Sequence, residues 1–224
     1  MKEQNQEKNL EVSDVISNMS AYIEKNKKNI ITIICAAVVL GLAIWAYFGL
    51  YLGPRQQQAQ EEMYAAEQWF GEGDFEKALN GNDEFPGFLQ VMDEYGNTKA
   101  GNLAKYYAGV CELNLGKYDE AIGHLKGYKG NDTFTGAEAI MLIGDAYAEL
   151  KDFAEAASYY EKAAKAADNF ITAPAALWKA GMMHLKLGEN DKAAKCFQTI
   201  KDNYNESTEW TEADKYIALA ENAQ

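Results

Sequence analysis

Cysteine, proline and histidine are scarce in this 224-residue chain, with three, three and two of them respectively. Cys35, Cys111 and Cys196 show no CxxC pair and no regular spacing, which excludes a disulfide framework. Cys111 and Cys196 pair only if the fold brings their Cα atoms within about 7 Å; buried free thiols are the expected state. His124 and His184 have no metal-ligating neighbour at i+3 or i+4, so no metal site is expected. GxSxG, HExxH and P-loop patterns are all missing. The adjacent acids Glu61-Glu62, Asp83-Glu84, Asp93-Glu94 and Asp119-Glu120 point apart on a helix and cannot share a proton. No catalytic residue, no cofactor and no enzymatic activity follow from these motifs. Only Pro54, Pro86 and Pro174 interrupt the chain, and Val and Ile thin out beyond residue 52 while Ala is abundant, a balance that favours helix over strand.

Between Lys28 and Arg55 there is no Lys, Arg, His, Asp or Glu, and the run Ile30 to Leu52 is apolar. As a helix it reaches roughly 34 Å, enough for a hydrocarbon core of about 30 Å. A cleaved signal peptide has a shorter apolar core, of ~7–15 residues, and small residues at its cleavage site. Here Trp45 interrupts Ala43-Ile44-Trp45-Ala46 and Ile34 precedes Cys35, so an uncleaved signal anchor is expected. Lys25, Lys27 and Lys28 flank one end and Arg55 alone the other, which predicts a cytoplasmic N-terminus and a translocated remainder. Trp45, Tyr47, Phe48 and Tyr51 fit an interfacial belt. The expected organisation is a tail over 1–29, a span over 30–52, a linker over 53–60 and a domain over 61–224. In the tail, Val12, Val15, Ile16, Met19, Tyr22 and Ile23 recur at helical spacing, so Ser13 to Lys25 is either a short amphipathic helix or part of a disordered tail.

Acidic residues outnumber basic ones 34 to 21, for a formal charge of −13. The first 29 residues balance at five of each, so the excess lies entirely beyond them. A domain of that sign is repelled by nucleic acid and by anionic headgroups.

Beyond the apolar run the sequence repeats. "YYAGVCELNLGKYDEAIGHLKGY", "LIGDAYAELKDFAEAASYYEKAA" and "KAGMMHLKLGENDKAAKCFQTI" align on Gly109, Gly144 and Gly181, then on Ala121, Ala156 and Ala193, then on Leu125, Tyr160 and Phe197. Steps of 35 and 37 residues between the glycines resemble the tetratricopeptide (TPR) repeat, a helix-turn-helix unit whose small residues let two helices touch. An upstream unit, "MYAAEQWFGEGDFEKALNG", carries Ala66, Trp69, Gly73, Phe75 and Ala78. The step from Gly73 to Gly116 is longer, and the insertion falls where Asn80 to Asp83 breaks a helix and Pro86 suits the start of another ending near Tyr95. Ser207 as N-cap, followed by Trp210, Ala213, Tyr216, Ile217 and Ala220, predicts a capping helix. The fold class is all-α: one N-terminal apolar helix, then a TPR-type solenoid of about four hairpins and a cap.

Such an array offers a concave surface lined by the first helix of each unit. Two columns of residues face it on this register: Tyr106, Met141 and Trp178, then Val110, Asp145 and Met182. TPRs that clamp a terminal carboxylate place Lys, Asn and Arg there, whereas aromatic and thioether side chains suit varied apolar segments. These six are the candidate partner-binding residues, and packing between neighbouring helices is the alternative for each.

The layout as a whole, with "YLGPRQQQAQEEMYAAEQWF", "GFLQVMDEYGNTKAGNLAKYYAGVCELNLGKYDEAI" and "GDAYAEL", resembles the YfgM type of ancillary translocon subunit. That resemblance covers the anchor and nearly all of the following domain. It implies a single-pass protein of the bacterial inner membrane with a periplasmic array, associated with the SecYEG channel and a PpiD-type chaperone. A scaffold in peptidoglycan or outer-membrane assembly would use the same groove on folded partners.

Overall fold

The computed structural model describes residues 2–130, 134–167 and 169–222; side chains before Tyr22, Met19 excepted, lie outside that description. It divides into two units, Met1–Pro54 and Arg55–Gln224.

The first unit is a helix, α1 (Lys2–Ala46), followed by π-helical turns over Tyr47–Leu52. The tail is therefore helical in backbone from Lys2. Of the stripe expected along it, Val12, Val15 and Ile16 lie outside the described side chains, while Met19, Tyr22 and Ile23 are exposed. The π-turns have a local cause. Pro54 lacks an N–H and its ring crowds the carbonyl four residues back, so the ladder widens ahead of it, and the Gly53 N–H donates five residues back to Phe48 O. This unit holds a helix long and apolar enough to cross a membrane.

The second unit runs through α2 (Gly53–Glu72, counted here from Arg55), α3 (Phe75–Asn80), α4 (Phe88–Glu94), α5 (Lys99–Asn114), α6 (Tyr118–Gly127), α7 (Thr135–Glu149), α8 (Phe153–Ala166), α9 (Thr172–Leu187), α10 (Asn190–Asn203) and α11 (Trp210–Asn222). Among the described residues there is no strand, only an isolated bridge between Gly81 and Pro86. Residues 53–60, expected as a linker, are the opening turns of α2. Their glutamines are good helix formers, and Gln57 and Gln58 donate to Glu61 and Glu62 at 3.0 and 3.1 Å.

Four hairpins result: α2–α3, α5–α6, α7–α8 and α9–α10. Each turns through one residue in the left-handed region, at Gly73, Gly116, Lys151 and Gly188. In each, the next N–H reaches five residues back: Asp74 to Trp69, Lys117 to Glu112, Asp152 to Tyr147 and Glu189 to His184, at 2.8–2.9 Å. This is the Schellman closure, which satisfies carbonyls that a helix end leaves open. Asp74 and Asp152 then cap the second helices by accepting from Lys77 N and Glu155 N.

Small residues set how closely the helices approach. Ala121, Ala156 and Ala193 are fully buried. A Cβ at Gly109 would lie 2.5 Å from Leu125, at Gly144 2.7 Å from the Tyr160 ring and at Gly181 2.6 Å from the Phe197 ring. Large side chains on the second helices thus rest on bare backbone of the first. Pro174 falls in the first turn of α9, where no N–H is required.

Two boundaries differ from expectation. Helix α4 starts at Phe88, not at Pro86, because Asn82 accepts from the Glu84 and Phe85 N–H groups and the Gly81 and Gly87 backbones close a tight loop first. Helix α11 starts at Trp210, three residues beyond the expected cap: Ser207 is buried and its N–H donates to Tyr204 O in a turn.

Candidate functional site

Cutting across the first helices of three successive hairpins is a groove of about 410 Å³. Val110 comes from α5, Leu142 and Asp145 from α7, and Lys179 from α9, with Tyr118 and Tyr160 contributed by the second helices α6 and α8. Consecutive first helices can share one surface because each hairpin repeats the same turn. Along it Lys179 Nζ lies 2.6 and 2.8 Å from the two Asp145 oxygens, and the Tyr160 hydroxyl donates to Asp145 at 2.6 Å. Burial first, then the bond to Asp145, pushes the Tyr160 phenol above its ordinary range. Asp145 is therefore matched by one cation and one hydroxyl, and the walls are largely apolar. Lys179 and Asn114 are groups that a carboxylate clamp would use, but the ammonium is already engaged by Asp145.

The six residues named from sequence separate into two sets. Val110 and Asp145 line the groove. The other four are half-buried between helices. Tyr106 meets Tyr107 edge-on and Tyr128 at a tilt, with its phenol pushed up by burial and by Glu138; Met141 packs with Ala156, Ala157 and Tyr160. Trp178 meets Phe197 and Tyr216 edge-on at 5.2 and 4.7 Å, and Met182 bridges the same cluster and its neighbour. Sequence reasoning missed Leu142 and Lys179. Both stand one residue after a chosen column, at Met141 and Trp178, so a rotation of about 100° per residue moves the lining face onto them.

The histidines are held by carboxylates, two from other helices and one from the turn that follows α9. His124 Nδ1 lies 2.7 Å from Oε2 of the buried Glu112. The buried His184 lies between Glu189 Oε2, 2.7 Å from Nδ1, and Glu161 Oε1, 3.1 Å from Nε2. Donor atoms of Glu161, His184 and Cys196 all fall within 4.8 Å of one another. A scan at i+3 and i+4 does not reach this group, because it is assembled from three helices. The cysteines are free, Cys35 exposed and Cys111 and Cys196 buried. Burial, with Glu112 and Glu161 respectively, pushes the Cys111 thiol up to about 12 and the Cys196 thiol up to about 11.

Hairpins in series with a groove across their first helices define a TPR-type protein-interaction module. The chain belongs to the family described as "T7SS, ESX-1 secretion system protein EccA1, N-terminal domain", whose model matches residues 38–220. Two solved structures of similar fold are both described as MamA. One shares 22% identity over 74% of this chain and 81% of its own, with a TM-score of 0.58. The other shares 22% over 70% of this chain and 93% of its own, with a TM-score of 0.51. At that identity the likeness concerns the fold. No curated protein matches the chain.

Proposed function

We propose that this chain is a non-enzymatic interaction module, anchored in a bacterial inner membrane by residues 30–52 with its array on the periplasmic side. On this reading it is of YfgM type and serves the Sec translocon, with SecYEG and a PpiD-type chaperone as partners and translocating segments as clients. The observation that carries it is the groove. Its apolar walls at Val110, Leu142 and Tyr118, with the Asp145 charge matched by Lys179, suit extended segments of varied sequence better than one fixed charged terminus. The anchor is supported by large apolar side chains on the first unit, such as Ile33, Val39 and Leu50, which are 66–70% exposed and would be costly to leave in water. The matched family's description names a secretion system, which favours export over envelope assembly.

Photocrosslinking in cells from positions 110 and 142, followed by mass spectrometry of the membrane fraction, tests the reading. Channel subunits, a membrane-anchored chaperone or unfolded translocating chains are the expected products; Leu142→Glu should abolish those formed from position 110, and Val110→Glu those formed from position 142, in a protein that still folds. Recovery of folded envelope-synthesis enzymes instead would replace the translocon role with scaffolding.

A further inference from the structure

The hairpins bring a carboxylate, an imidazole and a thiol from three successive helices to one point, and none of the three lines the groove. Glu161 stands on α8, His184 on α9 and Cys196 on α10, and the latter two are more than nine-tenths buried. We propose that Glu161, His184 and Cys196 form a site for a zinc-type divalent cation, which staples these three helices together.

Donor chemistry selects the ion. A set of one sulfur, one nitrogen and one oxygen suits a borderline-soft metal such as Zn²⁺, and disfavours Ca²⁺ or Mg²⁺, which take oxygen ligands. Metal–ligand lengths of about 2.0–2.3 Å in a tetrahedron separate the ligand atoms by roughly 3.3–3.8 Å. Nε2 of His184 and Oε1 of Glu161 are already 3.1 Å apart, and Sγ of Cys196 closes a triangle with no side above 4.8 Å.

The surroundings argue the same way. Glu189 Oε2, 2.7 Å from Nδ1 of His184, accepts that N–H, which is the carboxylate–histidine arrangement found behind metal-bound imidazoles. In the neutral ring this bond leaves the Nε2 lone pair facing the Glu161 carboxylate, two acceptors that need a cation between them. A proton on Nε2 meets that need but does nothing for Cys196, whereas a metal ion engages all three groups. Binding releases the thiol proton to solvent. Two cavities give access: one of about 520 Å³ is lined by Glu161 and Cys196, another of about 240 Å³ by Glu161 and His184.

The test uses the full-length chain in detergent micelles on a Cys35→Ser background, which removes the exposed thiol. Titration with Zn²⁺ alone should saturate at one ion per chain and raise the unfolding temperature, by on the order of 5–10 °C at a hundredfold excess over Kd. Co²⁺ should give a thiolate-to-metal charge-transfer band that Cys196→Ser abolishes. His184→Gln should weaken binding at least tenfold, and Glu189→Gln should weaken it by about 10–100-fold while keeping the band, as expected of a positioning residue. Absence of stoichiometric Zn²⁺ binding in the unsubstituted site would overturn the proposal without reference to any variant. So would a charge-transfer band that survives Cys196→Ser. Neither result bears on the groove.

Discussion

The first hairpin and the third solve the same problem with different parts. Both turn through a left-handed residue, Gly73 or Lys151, both cap the second helix with an Asp, and both bury the same alanine, Ala78 or Ala156. They part at the end of the second helix. Helix α8 runs on to Ala166 and sets Tyr160 against Gly144, whereas α3 stops at Asn80, before the equivalent large residue would be reached at Asn82. The residue equivalent to Gly144 in the first hairpin is accordingly Ala66, not glycine. The inserted α4 supplies the missing bulk: Phe88 is fully buried, stacks on Tyr107 at 5.0 Å and meets Phe70 at 6.2 Å. A bare first helix is required only where a large side chain crosses from the second, and an insertion can replace half a helix when it returns an aromatic ring to the same gap.

The comparison breaks most severely at Phe88. Phe88→Ala should cost about 3–5 kcal/mol and raise hydrogen exchange in α2, α3 and α4 ahead of α7 and α8. If all hairpins loosened equally, the insertion would not be specific to the first. Gly144→Ala tests the other side. Alanine is the better helix former by about 1 kcal/mol, yet overpacking against Tyr160 should leave a net loss of about 1–2 kcal/mol in denaturant melts. An equal or higher melting midpoint would show that Tyr160 moves aside freely. Ala66→Gly should cost no more than its helix propensity and lost methyl, about 1–2 kcal/mol.

A third difference shows in alkali. Tyr95, which closes the insertion, donates to Glu62 at 2.8 Å, and burial followed by that bond and the Glu62 charge pushes its phenol up to about 12. A raised native value means that the stabilising effect is complete below the ordinary tyrosine range near pH 10 and is lost as pH rises toward 12. Phenolate absorbance should therefore show Tyr95 titrating above the ordinary tyrosine range, and Glu62→Gln should bring it earlier. The smallest effect is expected at the turn. Lys151 is the one non-glycine with positive φ among the described residues, at 63°, so Lys151→Gly should raise stability by about 0.5 kcal/mol. Unchanged or lower stability would mean that the lost chain entropy outweighs the relief.

Periodicity made the hairpins legible because helix contacts within a repeat are local: Gly109, Ala121 and Leu125 lie close in sequence and touch in space. The groove was half legible. Val110 and Asp145 fall on the right face, but a column position does not say how far a side chain leans into the neighbouring hairpin, and Trp178 turns to Phe197 and Tyr216 while Lys179 reaches Asp145. The expected helix starts, at Pro86 and just after a Ser207 cap, each fell two residues early because turns held by Asn82 and Tyr204 intervene.

The sequence by itself determined an all-helical array following one N-terminal apolar helical stretch, because hydrophobic spacing, glycine at the turns and the absence of charge over Ile30 to Leu52 act through neighbours along the chain. Only the tertiary structure decided which side chains share a site. Glu161, His184 and Cys196 lie more than ten residues apart in sequence, as do Asp145 and Lys179, and no local rule pairs them. They meet because the superposition of one hairpin on the next fixes which face of each helix is turned inward.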